Sequence, residues 1–99
     1  MAAIPGLLAG KVSIITGTSS GLGRAIALAF SEHGATVICA DRHALSKMSD
    51  QPTHEIIHGR GGKSRFVPTD VTKASSVKEL VKTTTEKFGR VDVYVRPLL

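Results

Sequence analysis

Thr16-Gly17-Thr18-Ser19-Ser20-Gly21-Leu22-Gly23 follows an apolar run, Val12 to Ile15, and precedes an amphipathic stretch. A strand, a glycine turn and a helix start in that order build a phosphate cradle from backbone amides. A pyrophosphate needs donors at close range, and a helix N-terminus supplies unpaired N–H groups with a partial positive charge. Gly17 permits a sharp exit from the strand. Gly21 and Gly23, on either side of Leu22, keep side chains off the approach path, and Ser19 and Ser20 add hydroxyl donors. A glycine-rich turn alone is a weak signal, since a flexible loop without a ligand reads the same way. A dinucleotide is nevertheless the first ligand to consider.

Outward from the turn, residues 11–16 predict a buried strand. From Leu22 the apolar positions Leu22, Ala25, Ile26, Ala29 and Phe30 have helical spacing, and Gly34 stops them. Thr36 to Ala40 is a second, β-branched strand ending at Asp41. Residues 42–53 read as a loop, and His54 to His58 as a turn or two of helix before the breakers Gly59 to Gly62. Ser64 to Val67 is a third strand, terminated by Pro68. A longer helix follows, with Thr72 as N-cap, the face Val77, Leu80, Val81, Thr84 and Phe88, and Gly89 as its stop. Val91 to Val95 is the fourth strand. Strands alternating with helices predict an α/β fold with a parallel, doubly wound sheet, and right-handed crossovers give the order 3-2-1-4. Ligands of such sheets bind beyond the carboxyl ends of the strands, at the switch point between strands 1 and 4, where Gly17 to Gly23 lies.

Asp41 sharpens the reading. It ends the second strand eighteen residues after Gly23, about where a carboxylate accepts both ribose hydroxyls of an adenosine. The same carboxylate repels a 2′-phosphate, which favours NAD over NADP. Arg42 next door and Arg24 in the first helical turn pull the other way, because either could neutralise a phosphate. A solvated strand end is the plainer alternative for Asp41.

Ninety-nine residues allow one small domain of modest stability. The 13 basic and 8 acidic side chains give a net charge of +5, but the basic residues are scattered, there is one Tyr and no Trp, and no recognition motif stands out. A nucleic-acid partner is not expected. Cys39, the single cysteine, lies in an apolar run and reads as buried filler in a reducing compartment. The apolar N-terminus lacks a basic segment and is broken by Pro5 and Gly6, a poor signal peptide, and no run is long enough to span a membrane. A cytoplasmic location is expected.

The motifs together resemble the N-terminal part of a short-chain dehydrogenase/reductase. Gly10-Lys11-Val12 opens the first strand, Thr16 to Gly23 matches the family's TGxxxGxG, and Asp41 follows. Further on stand Thr69-Asp70-Val71-Thr72 and Phe88-Gly89-Arg90-Val91-Asp92, so the match runs over roughly residues 8 to 95. The resemblance implies an NAD(P) cofactor and oxidoreduction of an alcohol or ketone by hydride transfer. It also implies that Asp70 and Val71 hold the adenine edge, through a side-chain acceptor and a backbone contact. Read from the residues alone, Asp70 is equally a helix-start residue favoured by the dipole.

The resemblance breaks after Val95. The family continues with an Asn-Asn-Ala-Gly turn and later a catalytic Ser and a Tyr-x-x-x-Lys pair. Here Arg96-Pro97-Leu98-Leu99 follows instead. Tyr94 is the single tyrosine, and Leu98 stands where its lysine would be. General acid–base work needs a group within reach of the proton, and none can be named. The fourth strand, interior in the family, is expected to become an exposed edge, and the helices of the usual oligomer are missing. A marginal chain prone to non-specific self-association follows. A sharp melt of a monodisperse monomer would contradict that expectation.

Three other motifs compete. Gly17-Thr18-Ser19-Ser20-Gly21 satisfies GxSxG, but only one strand precedes it, so nothing supplies an oxyanion loop for Ser19. His54-Glu55-Ile56-Ile57-His58 satisfies the zinc motif HExxH, yet the helix is short and no third histidine follows, leaving only Glu79 or Glu86 as ligands. Gly23-Arg24-Ala25 lacks the Gly-Lys-Ser/Thr of an ATPase phosphate loop. The expectation is therefore an incomplete dehydrogenase from a truncated or mis-spliced product, binding a dinucleotide and inactive alone. The rival reading is a non-catalytic nucleotide- or partner-binding module.

Overall fold

Short β-branched runs separated by helical stretches favour parallel pairing, because each helix carries the chain back to the end of the sheet where the previous strand began. In a computed structural model, which describes residues 6–46 and 51–97, the elements are β1 (Val12–Thr16), α1 (Gly21–Glu32), β2 (Thr36–Asp41), α2 (Thr53–Gly59), β3 (Ser64–Pro68), α3 (Ala74–Phe88) and β4 (Val93–Val95). The four strands form one parallel sheet in the order β3-β2-β1-β4. The predicted architecture and strand order are both present. Among the described residues no helix is long and apolar enough to cross a membrane.

The two-residue period of the strands sorts the core into two layers. Val12 and Ile14 of β1, Ile38 and Ala40 of β2 and Val67 of β3 face α3, where they bury Leu80 completely with Phe88 and Val91 alongside. Ile15, Val37 and Cys39 face the opposite way, against Ala27 of α1 and Ile57 of α2. Burial pushes the Cys39 thiol up to about 12, against a smaller opposing pull from its hydrogen bond with Thr18. The residue is a packed hydrophobe, as its apolar run predicts.

Several local expectations need correction. First, the buried line of α1 runs through Gly23 and Ala27, with Ile26, Leu28 and Phe30 partly covered. Leu22 is 42% exposed, and Ala25 and Ala29 face outward. The cause is the close seat of Gly23 on the end of β1, which rotates the helix away from the face its apolar spacing selects. Second, Thr72 does not cap α3. Asp70 Oδ1 accepts both its hydroxyl (2.6 Å) and its N–H (3.0 Å), a local turn that outcompetes capping. The cap position falls on Lys73, without a side-chain bond. Third, β4 begins at Val93 rather than Val91. Of the expected loop at 42–53, residues 42–46 carry no helix or strand, Thr53 already opens α2, and residues 47–50 lie outside the described residues.

Asp92, just before β4, ties that strand to β1. Val12 N–H donates to Asp92 Oδ2 at 2.8 Å, and Asp92 N–H donates to Val12 O at 2.8 Å. Its other carboxylate oxygen accepts from Arg90. The Arg90 hydrogen bond first, and the Val12 N–H second, hold the Asp92 carboxyl below the usual carboxylate range. A carboxyl with a folded pKa below its unfolded one stabilises the fold above the unfolded pKa. That contribution is lost as pH falls through the folded value. The urea midpoint of the chain is therefore expected to fall as pH is lowered from about 7 to about 3. Asp92→Asn should lower it at neutral pH and shrink the acid loss. A variant that tracks the wild type at every pH would contradict the assignment.

Candidate functional site

β1 ends where its ladder with β2 ends. Gly17 N–H donates to Ala40 O at 2.8 Å, and the backbone then turns through φ +69° at Gly17 and +60° at Gly21. Both values lie in the left-handed region that only glycine enters without strain. A Cβ at either residue would meet nothing within 4 Å, so backbone conformation rather than crowding demands glycine there. Gly23 differs. A Cβ on it would lie 2.1 Å from Gly17 O and 2.6 Å from Gly17 C. The sequence suggests that Gly23 clears a ligand's path, whereas its immediate effect is to let α1 pack against the turn.

The N-terminus of α1 has no side-chain cap. Its cap residue, Ser20, is extended, and the first turn carries no acidic residue. No acidic side chain of α1 itself therefore offsets the helix dipole within that turn. Leu22 stands exposed at the mouth of the turn.

Asp41, at the carboxyl end of β2, reaches across to the same turn. Its Oδ2 accepts the Ser19 N–H at 3.0 Å and the Ser19 hydroxyl at 2.7 Å, while its Oδ1 accepts the Arg42 N–H at 2.7 Å. The carboxylate thus stands within one hydrogen bond of the glycine turn. Arg42 extends the other way, to Asp70 Oδ2 at 2.9 Å. The Thr72 hydroxyl first, and Arg42 second, hold the Asp70 carboxyl far below the usual carboxylate range. Asp70 and half-buried Val71 follow β3, next to the β2 end, since Thr69 N–H donates to Asp41 O at 2.8 Å. The fold therefore gathers Gly17 to Gly23, Asp41, Arg42, Asp70 and Val71 at the carboxyl ends of β1, β2 and β3.

Arg24 does not face this cluster. Its Nη1 donates to Gln51 O at 2.9 Å and lies 3.4 Å from Thr53 Oγ1. The Thr53 hydroxyl in turn donates to Thr18 O within the buried side of the turn. Sequence reading missed Thr53. A threonine before a helix looks like a cap, and no local signal gives a partner 35 residues away.

The competing motifs are used structurally. The Ser19 hydroxyl is bonded to a carboxylate rather than to a histidine base. The His54 ring stacks on Phe66 with centroids 5.7 Å apart, and His58 Nε2 lies 2.8 Å from Ser64 O, so the HExxH segment packs α2 onto β3. Among the described residues no group of three or more His, Cys, Asp or Glu could hold a metal ion. Tyr94 lies in β4, paired with Ile14.

Residues 11–96 match the family model described as short chain dehydrogenase. A 3-oxoacyl-[acyl-carrier-protein] reductase of Thermotoga maritima is 40% identical over 88 residues, covering 89% of this chain and 35% of that protein. Among solved structures, a short chain dehydrogenase from Mycobacterium smegmatis superposes with a TM-score of 0.81 at 34% identity, covering 93% of this chain and 37% of that one. A hydroxysteroid dehydrogenase from Escherichia coli gives 0.81 at 31% identity, covering 90% and 37%. The chain spans little more than a third of the length of these relatives.

Proposed function

We propose, because the chain belongs to the short-chain dehydrogenase family, that its 99 residues hold the adenosine and pyrophosphate part of NAD. The observation that carries this reading is the Asp41 carboxylate standing within hydrogen-bond reach of the glycine turn. A ribose joined to a pyrophosphate at the α1 N-terminus brings its two hydroxyls to that side of the turn. They would take the place of the Ser19 hydroxyl as donors to Asp41. The uncapped first turn of α1 would meet the pyrophosphate. Asp70 and Val71 border the space left for the adenine.

The two arginines that could reverse the preference for NAD are both engaged. Arg24 holds Gln51 and Thr53, and Arg42 pairs with Asp70. Each would have to leave its partner to meet a 2′-phosphate, which would also stand against Asp41. Should these residues belong to a longer protein, the reductase and dehydrogenases matched above support oxidoreduction of a ketone or an alcohol as its activity. The cofactor supplies hydride transfer in that chemistry. Turnover by the 99 residues alone is not expected, since Tyr94 is followed four residues later by Leu98 and no Tyr-x-x-x-Lys occurs.

Calorimetric titration of the chain with NAD and with NADP tests the reading. Saturable binding of NAD, tighter than that of NADP, is the expected result. No binding, or the reverse order, would overturn it.

A further inference from the structure

The geometry points to Thr53, the first residue of α2, as a positioning residue for the dinucleotide turn, acting on the Ser19 amide through the peptide that joins Thr18 to Ser19. This inference rests on the NAD reading above. Thr53 is almost wholly buried (1% exposed), and its hydroxyl donates to Thr18 O, 35 residues away. In a planar trans peptide the carbonyl and the following N–H point in opposite directions. Drawing Thr18 O toward α2 therefore turns the Ser19 N–H to the other side of the strand exit. There it meets Asp41 Oδ2 at 3.0 Å. The one hydroxyl thus sets the direction of an amide that faces the ligand side.

Arg24 completes a strap across the back of the turn. From the first turn of α1 its guanidinium reaches Gln51 O and Thr53 Oγ1, holding the start of α2 against the turn. A segment remote in sequence orients the donor. Removing the Thr53 hydroxyl would leave the Thr18–Ser19 peptide held from one side alone, by Asp41. The cradle would then have to be ordered during binding rather than before it.

The test compares Thr53→Val, which keeps the shape and loses the hydroxyl, with Thr53→Ser, which keeps the hydroxyl. Thr84→Val serves as the control. Thr84 is equally buried and donates to Leu80 O within α3, far from the turn. NAD affinity and the exchange rate of the Ser19 amide are measured on the full 99-residue chain. Thr53→Val is expected to weaken NAD by about 5- to 10-fold, with Thr53→Ser within about 2-fold of the wild type and Thr84→Val unchanged. In the ligand-free chain the Ser19 amide should exchange faster in Thr53→Val alone. Unchanged affinity in Thr53→Val, failure of Thr53→Ser to restore it, or an equal loss in Thr84→Val would overturn the inference. If even the wild type does not bind NAD, the NAD reading fails. The Ser19 amide then decides the strap separately, faster exchange in Thr53→Val supporting it and unchanged exchange overturning it.

Discussion

Asp41→Ala is expected to weaken NAD binding by about 10- to 100-fold while weakening NADP far less. A hydrogen bond to a charged acceptor contributes about 1.5–3 kcal/mol, and the two ribose hydroxyls offer two of them. The gain is not the full sum, because Asp41 already accepts the Ser19 N–H and hydroxyl before any ligand arrives. Binding exchanges donors rather than supplying them to an idle carboxylate, which places the loss below the two-bond sum, near the worth of a single charged hydrogen bond. For NADP the carboxylate is a repulsive neighbour of the 2′-phosphate, so its removal takes away a penalty along with any attraction. Parallel titrations of both dinucleotides check the prediction. Equal losses for the two would show that Asp41 acts on the turn alone and not on the ribose.

Gly23→Ala should be the most damaging of the glycine-to-alanine changes in the chain. The added Cβ would lie 2.1 Å from Gly17 O, 2.6 Å from Gly17 C and 2.9 Å from Thr16 O. All three are backbone atoms, so no side chain can swing aside. Relief requires α1 to move off the end of β1, opening the contact around Ala27 and displacing the helix N-terminus from the turn. The expected cost is about 3 kcal/mol, a large share of the stability of so small a domain. Gly59→Ala is the matched control. Gly59 ends α2, and a Cβ there meets nothing within 4 Å, so this change should be close to neutral. Denaturation midpoints and NAD titrations of both variants read the difference. A Gly23→Ala chain as stable as Gly59→Ala, with NAD affinity intact, would contradict the packing role assigned to Gly23.

The architecture was legible because its determinants are local and periodic. Each strand is a short β-branched run between breakers. Gly34 and Gly89 end helices where the sequence predicts, both with positive φ. The strand order follows from chirality once the elements alternate. The placing of Asp41 beside the turn was legible too, since a parallel neighbour strand of known length must end there. What escaped were contacts decided by tertiary crowding or by competition for a hydrogen bond. The buried face of α1 is set by one glycine contact rather than by apolar spacing. Thr72 had two acceptable uses, cap or turn, and the nearby Asp70 carboxylate chose between them. Thr53 escaped for a different reason, since its partner is a backbone carbonyl, and no residue type in the sequence marks one carbonyl from another.

An amide-resolved NMR titration of the 99-residue chain with NAD reads the proposed dinucleotide site residue by residue. Saturable shifts are expected, confined to Gly17 through Gly23, Asp41, Arg42, Asp70 and Val71, at the carboxyl ends of the strands. Shifts gathered instead around Gly61 and Lys63, at the opposite end of the sheet, or no shifts at saturating NAD, would contradict that site.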